Sequence, residues 1–258
     1  MAKSKTTETL LVKRDKQTAT VTLNRPAKRN SLDQELMRGL ARAFLELGAD
    51  ESVRVVVLTG AGGHFCSGLY LDYLKDIGEF GVRENLRDSE NFKNVLLSIF
   101  RCPKPVIARV QGYALAGGCG IASACDLIIA DSSAKFGYTE VKFGFVPALV
   151  SPLLVRRVGE SRARDLLLTA RFIDAYEARE MGLVNHVTEP DQLDNKVSEF
   201  AEMLCKNTPD SLRSTKEMIE QISDLPLEAA LDFAKNLNAA TRQTPDFKKG
   251  LAEILKKH

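Results

Sequence analysis

One carboxylate and a glycine-rich turn are the parts of this sequence best suited to chemistry. The turn lies at residues 116–120, between two apolar segments, and Glu140 follows about one strand later. Glycines at a strand-to-helix turn let the backbone bend tightly and leave N–H groups free at the positive end of a helix. Such N–H groups bind an anionic oxygen, either of a phosphate or of a reacting carbonyl. The pattern predicts an oxyanion hole beside a single acid/base.

A second small-residue turn, at residues 64–71, follows an apolar run at residues 53–58. That run is typical of a strand buried on both faces, and ligands of open α/β sheets bind where such strands end. The intervening glycines resemble part of a dinucleotide fingerprint, but that pattern needs a glycine where Phe65 stands, and no helix start follows. We therefore expect two turns on neighbouring parallel strands, each directing one N–H group toward an oxygen, and not a nicotinamide site.

Glu140 has two interpretations. On a strand it would share a face with Lys142 and could form a surface ion pair. Beside the apolar residues Phe143, Phe145 and Val146, a carboxyl would instead have a raised pKa and be a competent proton donor. We favour the second interpretation.

Other reactive side chains receive structural interpretations. Cys119 lies at a helix start, where a thiolate is favoured, but no histidine is visibly paired with it, so packing is preferred. His64 is interpreted as a loop residue and not as a base. Four further side chains could line a substrate pocket and supply a second polar group, or could pack in the core: Tyr70, Asp72, Tyr73 and Tyr138.

Apolar periodicity predicts the elements that position these residues. Apolar runs at residues 9–12 and 18–23 predict a hairpin, and residues 31–34 fit a capping box that opens a helix. The core-facing side of that helix is predicted to carry Leu36, Leu40, Ala43, Phe44 and Leu47. Strands are predicted at residues 106–110, 127–130 and 183–187, and helices from residue 193 onward. Residues 81–90 are polar and are expected to be irregular. A mixed α/β region followed by helices is the predicted organisation.

Composition excludes several classes of protein. The chain has 258 residues, 44% hydrophobic residues and a net charge of +2, which gives no argument for nucleic acid or an anionic membrane surface. No stretch approaches the roughly 18–20 apolar residues of a membrane span. Five cysteines without metal-binding spacing predict reduced thiols and a cytoplasmic location, and three scattered histidines do not predict a zinc site. Residues 1–7 lack the apolar segment of a signal peptide and are expected to form a frayed tail.

The order and spacing of several motifs resemble the crotonase (enoyl-CoA hydratase/isomerase) superfamily over nearly the whole chain. The motifs are, in chain order, Leu23-Asn24-Arg25-Pro26, Phe65-Cys66-Ser67-Gly68, Lys104-Pro105-Val106-Ile107-Ala108, Gly112-Tyr113-Ala114-Leu115-Ala116-Gly117-Gly118, Ala124-Cys125-Asp126, Phe136-Gly137-Tyr138-Thr139-Glu140-Val141-Lys142-Phe143-Gly144 and Gly182-Leu183-Val184. The resemblance implies an α/β core, a spiral of ββα units, at residues 1–195. It also implies a C-terminal helical trimerisation region at residues 196–258, and a homotrimer or homohexamer.

The same resemblance implies an acyl-CoA substrate with no separate cofactor, no metal, and no nucleic-acid or membrane partner. The thioester carbonyl would lie between the backbone N–H groups of Leu69 and Gly117, and Glu140 would be the acid/base. Lys257, from a neighbouring subunit, would help to hold the CoA nucleotide. The implied substrate-binding residues are Lys28, Ser67, Gly68, Tyr70, Leu71, Gly118, Tyr138 and Lys257.

One position departs from the two-glutamate hydratases of this family, which carry their second glutamate at the position of Gly120. A single carboxylate is enough to move a proton between two carbons, as in the family's single-glutamate Δ3,Δ2-enoyl-CoA isomerases. Hydratases resembling methylglutaconyl-CoA hydratase also show Gly-Gly-x-Gly here, and residues 144–148 are similar to theirs. Hydration of a 2-enoyl-CoA is therefore the favoured reaction. The alternatives are isomerisation with Glu140 as the sole proton shuttle, and a non-catalytic acyl-CoA-binding subunit.

Overall fold

The computed structural model describes residues 9–256, with strands and helices mixed up to about residue 190 and helices alone after it. The strands are β1 Leu10–Asp15, β2 Thr18–Leu23, β3 Val55–Gly60, β4 Val106–Val110, β5 Tyr113–Leu115, β6 Leu127–Asp131, β7 Lys135–Gly137, β8 Ile173–Asp174 and β9 His186–Thr188. The helices are α1 Gln34–Ala49, α2 Leu71–Glu79, α3 Val82–Phe100, α4 Gly117–Ala124, α5 Ser151–Thr169, α6 Ala175–Glu180, α7 Leu193–Lys206, α8 Pro209–Ile222, α9 Leu227–Thr241 and α10 Pro245–Leu255. The predicted mixed α/β fold with C-terminal helices is confirmed.

The main sheet has six strands in the order β1-β2-β3-β4-β6-β9. Strands β1 and β2 form the predicted antiparallel hairpin, and every other neighbouring pair is parallel. All six residues of β3 are buried, as predicted for a strand covered on both faces. Parallel pairing brings the carboxyl ends of these strands to one edge of the sheet, where ligands of such sheets bind.

Helices cover both faces of this sheet. On one face α1 buries the predicted apolar residues, which are Leu36, Leu40, Ala43, Phe44 and Leu47. On the other face α7 packs Leu193 and Val197 against β3 and β4 in a separate cluster. Each large apolar side chain buried in this way stabilises the fold by about 1.5–3 kcal/mol. The sheet is therefore a rigid base for the loops at its edge.

A second, three-stranded sheet lies beside the first in the order β5-β7-β8. Strands β5 and β7 are parallel, and β8 is antiparallel to β7. A single bridge between Cys66 and Ala114 adds the segment around residue 66 to the free edge of β5. These strands were not predicted, because segments of two or three residues are too short to show an apolar period.

Three predicted boundaries were wrong. Helix α1 begins after Asp33, whose Oδ1 accepts a hydrogen bond from the backbone N–H of Leu36 (3.0 Å), so Ser31 is not its cap. Residues 82–90 are the first half of α3, a polar extension closed at its start by a hydrogen bond from the Gly81 N–H to Glu84 Oε2 (2.8 Å). Strand β9 begins at His186, because the N–H groups of the preceding residues 183–184 still bond to the carbonyl of Ala178.

The C-terminal helices α8, α9 and α10 bury no residue completely. Apolar side chains lie exposed along them: Ile219, Leu227, Leu231, Phe247, Leu251, Ile254 and Leu255. Helix α8 is tied to the core through Lys216, whose ammonium lies 2.7 Å from an Asp126 carboxylate oxygen and 3.0 Å from the Lys104 carbonyl. Within residues 9–256, no helix is both long enough and apolar enough to span a lipid bilayer.

Candidate active site

Three parallel segments that lie side by side end at one place and carry the candidate residues. Cys66 bridges Ala114, and Ala114 in turn pairs with Phe136 of β7. Leu69, Gly117 and Glu140 each follow their own segment's paired residue by three or four positions. Because parallel segments run in the same direction, all three residues leave the second sheet at the same edge.

The Leu69 amide is free to bind a ligand. Its neighbours form the bridge to Leu32: the Leu32 N–H donates to the Gly68 carbonyl (2.7 Å), and the Tyr70 N–H donates to the Leu32 carbonyl (2.9 Å). This pattern turns the N–H of Leu69 to the opposite side of the segment, where no acceptor among residues 9–256 meets it. Gly68 has φ +88°, a conformation that favours glycine and produces this turn.

The Gly117 amide is the second free donor, at the first position of the buried helix α4. The turn before it is held by Ala116, which has φ 50° and donates its N–H to the Gly137 carbonyl (2.8 Å). A β-carbon built on Gly68 would lie 3.7 Å from the Gly117 nitrogen, so the two turns are in contact. Two free N–H groups on contacting turns, one of them at a helix start, are suited to binding an oxyanion.

Glu140 opens a short 3-10 helix, Glu140–Phe143, directly after β7. It is only 9% exposed, and its Oε2 has no hydrogen-bond partner in the described structure. Burial raises the pKa of this carboxyl, although a hydrogen bond to its own backbone acts in the opposite direction. A buried carboxyl with a raised pKa and an unpartnered oxygen is suited to exchanging protons with a substrate.

The surface interpretation of Glu140 is wrong. Glu140 is buried, and Lys142 places its ammonium 5.3 Å from the ring centroid of Phe172. The three residues predicted to lie beside it are largely exposed: Phe143, Phe145 and Val146 are 79%, 51% and 68% exposed. The main cause of the raised pKa of Glu140 is burial of its carboxyl.

Gly120 is packed against Val150, which immediately precedes α5. A β-carbon at position 120 would lie 2.3 Å from Val150 Cγ1 and 3.0 Å from its Cβ. No side chain fits at position 120 unless Val150 moves. The space that a second carboxylate would enter through is filled by this valine, which the sequence did not indicate.

Behind the two turns, the side chains belong to the core. Cys119 is fully buried, which raises the pKa of its thiol to about 12, so the structural interpretation holds. Tyr138 is also fully buried, with its hydroxyl 3.2 Å from Ser123 Oγ, and does not reach an accessible wall of the site. Tyr73 is buried and hydrogen-bonded to Asp88. Of the two tyrosines predicted to bind substrate, only Tyr70 lies at the rim.

The rim of the site is basic and aromatic. The ammonium of Lys28 lies 4.0 Å from the ring centroid of Tyr70, and the Arg29 guanidinium lies 5.7 Å from that of Tyr113. Ser67 is half-buried beside this rim, and Leu71, the first residue of α2, is exposed. The exposed cations can meet an anion such as a phosphate without losing an ion-pair partner. Tyr113 carries no sequence signal for this position, because only the register of the second sheet brings it here.

Two loop residues hold this rim in place. His64 accepts a hydrogen bond at Nδ1 from the Tyr113 N–H (3.2 Å) and stacks on the Tyr113 ring (centroids 4.7 Å apart). Partial burial, followed by the nearby Arg29, lowers the pKa of His64, which fits its predicted role as a loop residue. Asn30 is buried and donates through Nδ2 to the carbonyls of Ala61 (2.9 Å) and His64 (2.7 Å).

Two further predictions concern Lys257 and the binding of a metal ion. Lys257 lies outside the described residues, so its role remains a prediction. Among residues 9–256, no group of three or more His, Cys, Asp and Glu side chains is placed to hold a metal ion.

Comparison with known proteins gives consistent matches. Residues 13–258 match the family model described as enoyl-CoA hydratase/isomerase. A Thermus thermophilus relative, named provisionally as an enoyl-CoA hydratase, is 44% identical over 239 residues, covering 93% of this chain and 94% of the relative. The (E)-benzylidenesuccinyl-CoA hydratase of Thauera aromatica is 38% identical and covers 90% of each chain. The crystal structure of an enoyl-CoA hydratase from Mycobacterium smegmatis superposes with a TM-score of 0.92 at 32% identity over 97% of each chain.

Proposed function

The chain belongs to the enoyl-CoA hydratase/isomerase family, and on that premise we propose that it reversibly adds water across the 2,3-double bond of an enoyl-CoA thioester. The observation that carries the proposal is the meeting of Leu69, Gly117 and Glu140 at one edge of the second sheet. Two N–H groups without an acceptor among residues 9–256 lie on turns that contact each other, and the buried carboxyl follows the neighbouring strand β7. The relatives named as hydratases support the direction of the reaction.

In the proposed mechanism, the thioester oxygen accepts hydrogen bonds from the N–H groups of Leu69 and Gly117. When a water oxygen bonds to C3, negative charge moves through C2 onto the thioester oxygen as an enolate, which the two donors stabilise. Removing one such donor costs about 2.7–4 kcal/mol of barrier in comparable sites. Glu140 takes the proton from the attacking water and returns a proton to C2, so it ends the cycle in its starting state.

The same carboxyl must perform both proton transfers, because Gly120 offers no side chain and Val150 occupies the adjacent space. The raised pKa of Glu140 suits this double use, since a carboxyl that holds its proton more tightly accepts it from water more readily. Because one carboxyl both activates the water that bonds to C3 and delivers the proton to C2, the hydroxyl group and the proton must add to the same face of the double bond. The proposal therefore predicts syn addition.

The proposal is tested with crotonyl-CoA, 3-methylglutaconyl-CoA and (E)-benzylidenesuccinyl-CoA, by loss of the ultraviolet absorbance of the conjugated enoyl thioester. Wild-type protein should hydrate at least one of them, and Glu140→Gln should reduce kcat by about 10²–10⁴-fold. Glu160→Gln, which removes an exposed carboxylate paired with Arg164, is the matched control and should leave kcat unchanged. Full activity in the Glu140 variant would refute the mechanism.

The Val150–Gly120 contact also favours a second candidate, a Δ3,Δ2-enoyl-CoA isomerase. Moving a proton from C2 to C4 needs only one carboxylate and an enolate site, and no activated water. Incubation of a 3-enoyl-CoA in D₂O distinguishes the two, since an isomerase yields the 2-enoyl-CoA without net addition of water. Tight binding of acyl-CoA without turnover of any of these thioesters would instead indicate the non-catalytic subunit.

The CoA nucleotide is proposed to lie against the rim formed by Lys28, Arg29 and Tyr70, where exposed cations can meet its phosphates.

We also propose a homotrimer or homohexamer in the cytoplasm, in which α8, α9 and α10 bury their exposed apolar residues between subunits. All five cysteines are free thiols, in keeping with a reducing compartment. Analytical ultracentrifugation would measure the subunit number, and a monomer would refute this part of the proposal.

A further inference from the structure

We propose that Arg157 is a positioning residue for the oxyanion hole, acting through helix α4 from the end opposite Gly117. The inference rests on the proposed function in one respect, namely that the Gly117 N–H group binds the thioester oxygen. Arg157 belongs to α5 and has no place in the chemistry described above. Its contacts nevertheless converge on the helix that supplies this donor.

The guanidinium of Arg157 binds the carbonyl end of α4. Its Nε donates to the Ser123 carbonyl (2.8 Å), and one terminal nitrogen donates to the carbonyl of Cys125 and, at 3.5 Å, to that of Asp126. These carbonyls lie where α4 has no further turn to supply backbone donors. The Arg157 side chain therefore supplies hydrogen bonds to carbonyls at the end of α4, where the backbone has no further N–H donors.

The need for this contact follows from the burial of α4. All eight of its residues are buried, so water is not at hand to bond its terminal carbonyls. A cation at the carbonyl end of a helix also interacts favourably with the helix dipole, whose positive end lies at Gly117. Arg157 thus both fixes the axis of α4 and reinforces the positive potential at its other end.

The charge of Arg157 is directed at the helix and not at a carboxylate. Within residues 9–256 no carboxylate oxygen lies within ion-pair distance of it, although Asp126 is adjacent in the same cluster. The Asp126 carboxylate instead accepts hydrogen bonds from Lys216 and from the Val106 N–H, both at 2.7 Å. Because the Asp126 carboxylate is already paired, the guanidinium donates its hydrogen bonds to the carbonyls at the end of α4.

Arg156 provides a matched control on the same helix. It carries the same charge one position earlier, but its side chain forms an ion pair with Asp224 and not a hydrogen bond to α4. A general loss of positive charge or of α5 stability would affect Arg156→Met and Arg157→Met alike. An effect transmitted through α4 would appear only in the second.

The experiment uses the full-length protein with a conjugated aromatic enoyl-CoA, such as cinnamoyl-CoA, bound at saturation. Hydrogen bonds from an oxyanion hole polarise the thioester carbonyl and shift the ultraviolet band of this probe to longer wavelength, whether or not the probe is hydrated. Arg157→Met should lose most of the red shift and lower kcat by about 3–30-fold with little change in KM. Arg156→Met should retain the red shift and kcat of the wild type.

Two conservative variants keep the test decisive if Arg157→Met does not fold. Arg157→Lys retains the charge and should retain more of the red shift than Arg157→Gln, which retains donors but no charge. Wild-type red shifts in both the Met and Gln variants, or in the Gln variant where the Met variant is unfolded, would overturn the inference. A red shift in wild-type protein that hydrates none of the three thioesters named above would refute the proposed reaction but leave this comparison valid. Absence of a red shift in wild-type protein would overturn both.

Discussion

Val150 Cγ1 occupies the space where a β-carbon on Gly120 would lie, with only 2.3 Å between the two positions. Gly120 belongs to the helix that carries the Gly117 donor, and Val150 follows the loop that begins after Glu140. The contact therefore joins the oxyanion side of the site to the carboxylate side. It also explains in steric terms why this site has one carboxylate.

This contact predicts a specific pattern of stability. Gly120→Ala should destabilise the protein by about 1–3 kcal/mol, because the added methyl group overpacks a rigid core. Adding Val150→Ala should recover part of that loss, so that the two substitutions together cost less than the sum of their separate effects. Urea unfolding of the four proteins of this cycle measures the coupling. Strict additivity would show that the two residues do not share the space.

The same pair can be used to introduce a second carboxylate. Gly120→Glu alone should yield little folded protein, since it adds both steric overlap and a buried charge. Gly120→Glu with Val150→Ala should fold better and should hydrate crotonyl-CoA faster than Gly120→Glu alone, compared per mole of folded protein. Equal yields and rates for the two proteins would contradict the steric explanation.

Glu140 should make the stability of the protein depend on pH. Its pKa is higher in the folded state than in the unfolded chain, so its favourable contribution is complete below the unfolded pKa and is lost as pH rises through the folded value. Glu140→Gln has no ionised form to desolvate. Its Tm should therefore exceed that of the wild type at pH 8, and the difference should shrink in acid. Differential scanning fluorimetry at several pH values tests this; a constant difference would argue against a perturbed Glu140.

Gly68 should be sensitive to the addition of a single methyl group. Its φ is +88°, and a β-carbon would lie 3.0 Å from the Ala116 β-carbon and 3.1 Å from the Leu115 carbonyl oxygen. Gly68→Ala should destabilise the fold by about 1–3 kcal/mol. It should also lower kcat by about 10–100-fold, because it forces apart the turns that hold the two donors.

The matched control for this substitution is Gly78→Ala in helix α2, where a β-carbon would meet nothing within 4 Å. This change should leave kcat unaltered and leave stability unchanged or slightly raised, as expected for alanine in a helix. Steady-state kinetics and thermal unfolding of both variants provide the comparison. Normal kcat in Gly68→Ala would show that the spacing of the turns does not limit the reaction.

Lys28 is expected to contribute to binding and not to chemistry. Lys28→Met should raise KM for an enoyl-CoA about 3–10-fold with kcat unchanged, because it removes a cation near the phosphates without touching the reacting atoms. The increase should diminish at high ionic strength, where the attraction is screened. Lys13→Met, an exposed lysine of β1, is the control. A loss of kcat in Lys28→Met would place this residue nearer to the chemistry than proposed.

The features predicted correctly from the sequence are those encoded by local pattern. The buried face of α1, the β1–β2 hairpin and the fully buried β3 each follow from the periodicity of a single segment. The turn before Gly117 follows from the glycines of residues 117–120, whereas the catalytic role of Glu140 stays a prediction. The helix extension at residues 82–90 escaped detection because most of its residues are polar and exposed, so that no apolar face marks it as a helix.

The features that were missed depend on contacts between distant segments. Strands β5, β7 and β8 are too short to show a period, and only their mutual register brings Tyr113 to the rim. Val150 precedes α5 and Arg157 lies within it, and neither residue type marks a site in the sequence. Their contacts with α4 are visible only in the folded structure. A sequence pattern records which side a residue faces, but not which residue of another element it meets.

The juxtaposition of Leu69 and Gly117 also has a consequence for the kinetics of folding. The two donors come from distant parts of the chain, and bonds such as that between the Cys66 N–H and the Tyr113 carbonyl (2.9 Å) hold their segments together. Such non-local pairings form late, because the entropy of closing a long loop must be overcome before any contact compensates for it. In a refolding experiment, helical circular dichroism should recover first, and the red shift of a bound enoyl-CoA should return in a slower phase.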